Sequence, residues 1–83
     1  MITELRAPKT GMTAETVEIM NWHKKEGDRI EKEEIVLTIE TEKVSFDVES
    51  PRSGFLVEIV AAEGETVPIG QIIALIGDTP DER

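Results

Sequence analysis

The sequence predicts an all-β fold: a flattened β-barrel or sandwich of two small antiparallel sheets with pseudo-two-fold symmetry and a lysine at a hairpin tip. Three observations predict it. Apolar and polar residues alternate with period two over 35–40 and again over 44–49, the pattern of half-buried strands. Glycine and proline punctuate the chain at short intervals and bound brief, branched apolar runs, which suits strands and turns. The two halves also resemble each other. Glu26-Gly27-Asp28-Arg29-Ile30 and Ile35-Val36-Leu37-Thr38-Ile39 recur as Glu63-Gly64-Glu65-Thr66-Val67 and Ile72-Ile73-Ala74-Leu75-Ile76, at an offset of 37 residues. Two copies are too few for a solenoid, so a pair facing each other across a two-fold axis is the arrangement that closes one core.

The elements follow in order. Val17-Glu18-Ile19 aligns with Val57-Glu58-Ile59, and Pro8 with Pro51. On that alignment the first copy is expected to carry short insertions at 9–16 and 20–25. Segment 13–25 also admits an amphipathic helix, with Thr13 as N-cap and Ala14, Val17 and Trp22 on one side. Its counterpart at 55–60 is too short and too branched for a helix, so 17–22 is predicted as a strand. Ile35, Leu37 and Ile39 should point inward from the next strand, and Val44, Phe46 and Val48 from the one after it. The runs 55–60 and 72–76 read as buried strands. Gly27, Gly54, Gly64, Gly70 and Gly77 fall at predicted turns, with Pro51 and Pro68 at strand margins. Pairing the halves covers edges that would otherwise invite aggregation. The polar tail 78–83 reads as the start of a flexible linker, leaving 1–77 as the folded domain and suggesting the N-terminal piece of a longer chain.

Composition limits what such a domain does. Eighty-three residues without cysteine and with one histidine, His23, offer neither a disulfide framework nor a multi-histidine or cysteine zinc site. The aromatics are Trp22, Phe46 and Phe55, so aliphatic side chains must build the core. A formal charge of −9 argues against nucleic acid or an anionic membrane as partner, since both demand a cationic footprint. Residues 1–43 hold seven of the nine Lys and Arg, so the second half is the more acidic. No apolar signal region follows Met1 and no apolar run is long enough to cross a bilayer. The expected location is the cytoplasm in a bacterium, or the mitochondrial matrix in a eukaryote. No Ser-His-Asp set or phosphate-cradling glycine loop can be argued from these residues.

One amine stands out. Lys43 lies in Thr41-Glu42-Lys43-Val44, at the midpoint where the repeat reverses, and only Thr41-Glu42-Lys43 separates two alternating strands. A link this short is a tight hairpin. Its residues are not the Asn-Gly or Asp-Gly of the commonest turns, although a type I turn tolerates them. A lysine on a hairpin tip is ordinarily a solvated charge. A place where local preference is overruled is nonetheless where function is sought.

The chain resembles the lipoyl domains of the dihydrolipoamide acyltransferase (E2) components of 2-oxo acid dehydrogenase complexes, within the biotinyl/lipoyl-attachment family. The resemblance covers nearly all of residues 2–77. It rests on Ala7-Pro8-Lys9-Thr10-Gly11-Met12, Asn21-Trp22-His23-Lys24-Lys25-Glu26-Gly27-Asp28, Ile39-Glu40-Thr41-Glu42-Lys43-Val44, Ser50-Pro51 with Gly54, and Glu63-Gly64-Glu65-Thr66-Val67-Pro68 with Gly70. Gly27 lies sixteen residues before Lys43 and Gly54 eleven after it. Two positions depart from the usual pattern: Glu42 replaces the commoner Asp and Val44 the commoner Ala, each keeping its character.

The resemblance implies lipoic acid in amide linkage on Lys43, flanked by Glu42 and Val44 as recognition residues, and no catalytic or metal-binding residue. It implies a carrier rather than an enzyme. The swinging arm would be reductively acylated by an E1 thiamine-diphosphate dehydrogenase, pass its acyl group to coenzyme A at the E2 acyltransferase core, and be reoxidised by E3 dihydrolipoamide dehydrogenase. Lipoate ligase or lipoyl transferase would attach it. The loop at 9–16, with Lys9, Thr10, Gly11 and Met12, is implied to lie near the hairpin and help the dehydrogenase choose its carrier. Attachment removes the lysine charge and takes the formal total from −9 to one unit lower.

The nearest rival is a biotin carboxyl carrier on the same fold, whose lysine typically sits between two methionines; Glu42 and Val44 argue against it. A glycine-cleavage carrier is longer, with added helices. A β-hairpin interaction module without a cofactor is the third alternative. Glu40, Glu42, Asp47 and Glu49 are candidates to steer the tip toward basic channel mouths, or else form a solvated surface. Trp22 is expected in the core or its margin and His23 on the surface. Glu31, Glu33 and Glu34 form either a solvated turn or a weak cation site.

Overall fold

A computed structural model describes residues 1–9, 15–42 and 44–82. Among these residues eight strands are seen: β1 (Thr3–Arg6), β2 (Thr16–Trp22), β3 (Arg29–Ile30), β4 (Ile35–Glu40), β5 (Ser45–Glu49), β6 (Gly54–Ile59), β7 (Thr66–Pro68) and β8 (Ile72–Gly77). They form two antiparallel four-stranded sheets, ordered β1-β8-β6-β3 and β5-β4-β2-β7. Replacing each strand of the first half by its equivalent in the second turns one sheet order into the other. The pseudo-two-fold predicted from the repeat is therefore the organising symmetry of the molecule.

The symmetry extends to individual hydrogen bonds. Gly27 N–H donates to Leu56 O, and its mate Gly64 N–H to Ile19 O, both at 2.7 Å. Leu56 N–H donates to Asp28 O at 2.9 Å, and Ile19 N–H to Glu65 O at 2.8 Å. Each half thus closes its β-turn against a strand of the other half. The carboxylates of Glu26 and Glu63 accept from the backbone N–H of Ile59 and Trp22, each at 2.8 Å, again across the axis. Neither half can complete its own backbone bonding.

These pairs correct the predicted alignment. The structure matches Ile19 to Leu56 and Trp22 to Ile59, at the same offset of 37 as the turns, and both strands bulge at this point, between Ile19/Asn21 and between Leu56/Glu58. Residues 20–25 hold no insertion. The extra residues of the first half all lie between Ala7 and Thr16: eight residues separate that pair, against two between Ser50 and Ser53. The shared Val-Glu-Ile triplet misled because a bulge shifts the phase of a strand without changing its composition.

The core is aliphatic. Val17, Ile19, Ile30, Val36, Leu37, Ile39, Leu56, Val67, Ile73 and Ile76 are buried between the sheets, with Trp22, Phe46, Ile59 and Ile69 packed against them. Trp22 seals the margin and donates Nε1–H to Ala61 O at 2.8 Å. Two inward positions were misassigned. Ile35 is exposed because a bulge between Ile35 and Leu37 turns Val36 inward instead. Val44 precedes β5 and is 50% exposed. Gly54 and Gly77 lie in strands rather than turns, where β6 crosses β8: a Cβ on Gly54 would sit 2.5 Å from Gly77 O.

The body is elongated, 36 × 20 × 19 Å. The two-fold makes the β4–β5 hairpin the counterpart of the place where the end of β8 meets the start of β1. Arg52 reaches Met1 O, Thr3 Oγ1 and the Asp78 carboxylate. The Met1 amine and then Arg52 hold that carboxyl down at about 2.

Candidate functional site

The hairpin is defined by the residues either side of Lys43. Glu40 pairs with Ser45 and Ile39 with Phe46, and Thr41 N–H donates to Val44 O at 2.9 Å. Only Glu42 and Lys43 connect this last bonded pair. Lys43 itself lies outside the described residues. Its neighbours Glu42 and Val44 are both exposed. The Thr41 hydroxyl lies within 3.4 Å of Val44 N and 3.3 Å of Val44 O.

Beside the hairpin lies an open cleft of about 240 Å³, lined by Thr16, Glu18, Glu40, Thr41, Glu42 and Thr66. Strand register builds it. Glu18 on β2 stands opposite Glu40 on β4 and Thr66 on β7. Like charges directly opposite each other destabilise a sheet, and among the described residues no cation pairs with Glu18, Glu40 or Glu42. The sequence reading found Glu40 and Glu42 but missed Glu18 and Thr66, which only cross-strand pairing brings to the tip.

The inserted segment ends at the same place. Its bases are pinned by Gly70 N–H to Ala7 O at 2.9 Å and Ile69 N–H to Glu15 O at 3.0 Å, and its last residue, Thr16, lines the cleft with Glu42. Lys9 is exposed; Thr10, Gly11 and Met12 lie outside the described residues. Asp47 is engaged laterally. It accepts from Thr38 Oγ1 at 3.0 Å, and Thr38 Oγ1 is 2.8 Å from His23 Nε2. His23 is therefore on the surface, as predicted, but in a polar chain crossing β2, β4 and β5 that the sequence did not disclose. The acidic turn is internally engaged: Glu34 pairs with Lys24 at 2.7 Å and Glu31 with Arg29 at 3.2 Å.

Comparison with known proteins agrees with this geometry. The family model described as "Biotin-requiring enzyme" matches residues 3–76. The chain is 41% identical over 78 residues to the dihydrolipoyllysine-residue acetyltransferase component of the acetoin cleaving system of Bacillus subtilis, covering 94% of this chain and 20% of that protein. It is 37% identical over 75 residues to the dihydrolipoyllysine-residue succinyltransferase component of the 2-oxoglutarate dehydrogenase complex of Staphylococcus saprophyticus, covering 90% and 18%. The chain thus spans about a fifth of the length of these relatives. The solution structure of the lipoyl domain of the 2-oxoglutarate dehydrogenase complex from Azotobacter vinelandii superposes with a TM-score of 0.74 at 31% identity, covering 89% of this chain and 94% of that one. With its two symmetry-related sheets and its hairpin closed by Thr41 and Val44, the chain belongs to the biotinyl/lipoyl-attachment family, as one of its lipoyl domains.

Proposed function

We propose that Lys43 carries lipoic acid in amide linkage and that the domain is the swinging-arm carrier of a 2-oxo acid dehydrogenase complex. The observation that carries this reading is the link of Glu42 and Lys43 between a bonded Thr41–Val44 pair, in a chain similar to lipoyl domains over nearly its whole length. When bound, lipoate supplies a dithiolane that accepts an acyl group and two electrons, the thiol chemistry that a cysteine-free chain lacks. The chain's own residues present and release. Glu42 and Val44 are exposed, which fits a group that must reach into other proteins.

On this reading the partners are an E1 thiamine-diphosphate dehydrogenase, an E2 acyltransferase core and an E3 dihydrolipoamide dehydrogenase, with a lipoate ligase or lipoyl transferase installing the arm. The acidic rim around the cleft favours basic channel mouths, and such charged contacts speed encounter without tight binding. Lys9, Thr10, Gly11 and Met12 are the proposed dehydrogenase-recognition residues, because the loop ends at the cleft. A linker from about residue 78 would keep the arm concentrated near its targets.

Intact-mass measurement of protein incubated with a lipoate ligase, ATP and lipoate tests the proposal. The expected result is one lipoyl increment, lost in Lys43→Arg. A biotin increment with a biotin ligase, or no increment with an active lipoate ligase, overturns it.

A further inference from the structure

We propose that Thr41 is a positioning residue for the modification of Lys43, its hydroxyl setting the loop geometry that the modifying enzyme reads; the proposal rests on the lipoyl reading above. The chain holds five lysines, and an exposed primary amine does not by itself distinguish one from another. Geometry must make the choice. Glu42 and Lys43 have no intrinsic preference for a tight hairpin, whose usual connections call for Gly, Asn or Asp. The ends of this two-residue link are fixed by the pair that closes it, Thr41 and Val44.

Thr41 is equipped to hold them. Its N–H binds Val44 O at 2.9 Å. Its hydroxyl accepts from Val44 N–H at 3.4 Å and donates toward Val44 O at 3.3 Å. One side chain thus holds both backbone polar groups of the residue that follows Lys43. A threonine hydroxyl that substitutes for a local backbone partner is a recognised turn device, and β-branching restricts its χ1. Thr41 also lines the acidic cleft with Glu42, which couples the loop to the surface a modifying enzyme would grip.

The covalent step puts a demand on that geometry. The ligase joins the lipoate carboxylate to the α-phosphate of ATP, giving the acyl adenylate and releasing pyrophosphate. The neutral Lys43 amine then attacks the acyl carbon, adenylate leaves with the bonding pair, and the amine proton passes to water. Misplacing a nucleophile by about 1 Å costs on the order of 100-fold in rate, so a loosened loop should show in turnover more than in binding.

The test compares the parent chain with Thr41→Val, which keeps the shape and removes the hydroxyl, and Thr41→Ser, which keeps the hydroxyl. Initial lipoylation rates are measured with lipoate ligase, ATP and lipoate, alongside amide exchange at Val44 and thermal unfolding. The expected result is a fall in kcat of at least about tenfold for Thr41→Val with KM little changed. Faster Val44 amide exchange should accompany it, with rates restored in Thr41→Ser. A parent chain that is modified while Thr41→Val matches it in kcat overturns this proposal alone. A rate loss explained by global unfolding, or one that Thr41→Ser does not rescue, also overturns it. A parent chain that takes no lipoyl group overturns this proposal and the reading beneath it together.

Discussion

Among the described residues, Glu33 is the non-glycine held at positive φ. Its φ is 71°, and its symmetry mate, at an offset of 37, is Gly70 with φ 91°. The same turn is needed in both halves: Glu33 N–H donates to Ser50 O and Gly70 N–H to Ala7 O, each at 2.9 Å. Left-handed backbone costs an L-residue roughly 1–2 kcal/mol, which glycine avoids at an unfolded-state cost of about 0.5–1. Glu33→Gly is therefore expected to stabilise the domain by about 0.5 kcal/mol, or raise the midpoint slightly in urea denaturation. Gly70→Ala is expected to cost about 1 kcal/mol from φ alone, since an added Cβ there meets nothing within 4 Å. Gly54→Ala should cost more than Gly70→Ala, because the new Cβ runs into Gly77 O. Neither effect is legible in the sequence, where Glu33 reads as one more acidic turn residue and Gly54 as one more turn glycine. Positive φ and close approach are properties of the closed fold.

Among the elements, the turns are held by charge as well as by backbone. Lys24, just after β2, pairs with Glu34, just before β4. The Lys24 ammonium and then the Glu31 N–H hold the Glu34 carboxyl below its usual 4.5, while Glu34 raises the Lys24 ammonium above 10.5. The carboxyl is depressed in the folded state, so its contribution is present above its unfolded value and fades as pH falls through the folded one. The lysine is raised, so its contribution is present below its unfolded value and fades as pH climbs through the folded one. Melting temperatures of the parent and Glu34→Gln should therefore differ at pH 7 and converge as pH drops below 4.5. Both side chains are solvated, so the difference will be small and weakened by salt. A gap that persists unchanged in strong acid would contradict the assignment. The strands were largely legible because burial on one face writes period two into them. Their bulges were not: an extra residue at Met20 or Val36 leaves the composition of the strand untouched and moves every later side chain to the other face.

For the molecule as a whole, the two-fold axis makes a quantitative expectation. Ile39 and Ile76 are symmetry mates on the central strands β4 and β8, and both are fully buried. Truncation to alanine is expected to cost about 2–5 kcal/mol at either site, with the two values alike within about 1 kcal/mol. A domain of this size has about 4–12 kcal/mol in total, so Ile39→Ala with Ile76→Ala together should leave it largely unfolded. Urea unfolding of the three variants checks this; strongly unequal single costs would show that the halves do not share the core evenly. The symmetry also explains the placement of the β4–β5 hairpin. The repeat must reverse somewhere, and the chain reverses between β4 and β5, the counterpart under the two-fold of the place where β8 meets β1.

By itself the sequence determined five of the strands and the existence of the repeat, because those depend on local alternation and on residues adjacent in the chain; the short strands β1, β3 and β7 carry too few residues to show a period. The family motifs carried the lipoyl reading. Tertiary structure alone decided the offset of the repeat, which rests on hydrogen bonds exchanged between Gly27 and Leu56 and between Gly64 and Ile19. It also decided the surroundings of the hairpin. Glu18, Glu40 and Thr66 meet beside Glu42 only because β2 lies between β4 and β7. A linear chain does not state which strands are neighbours; the shared burial of two incomplete halves does.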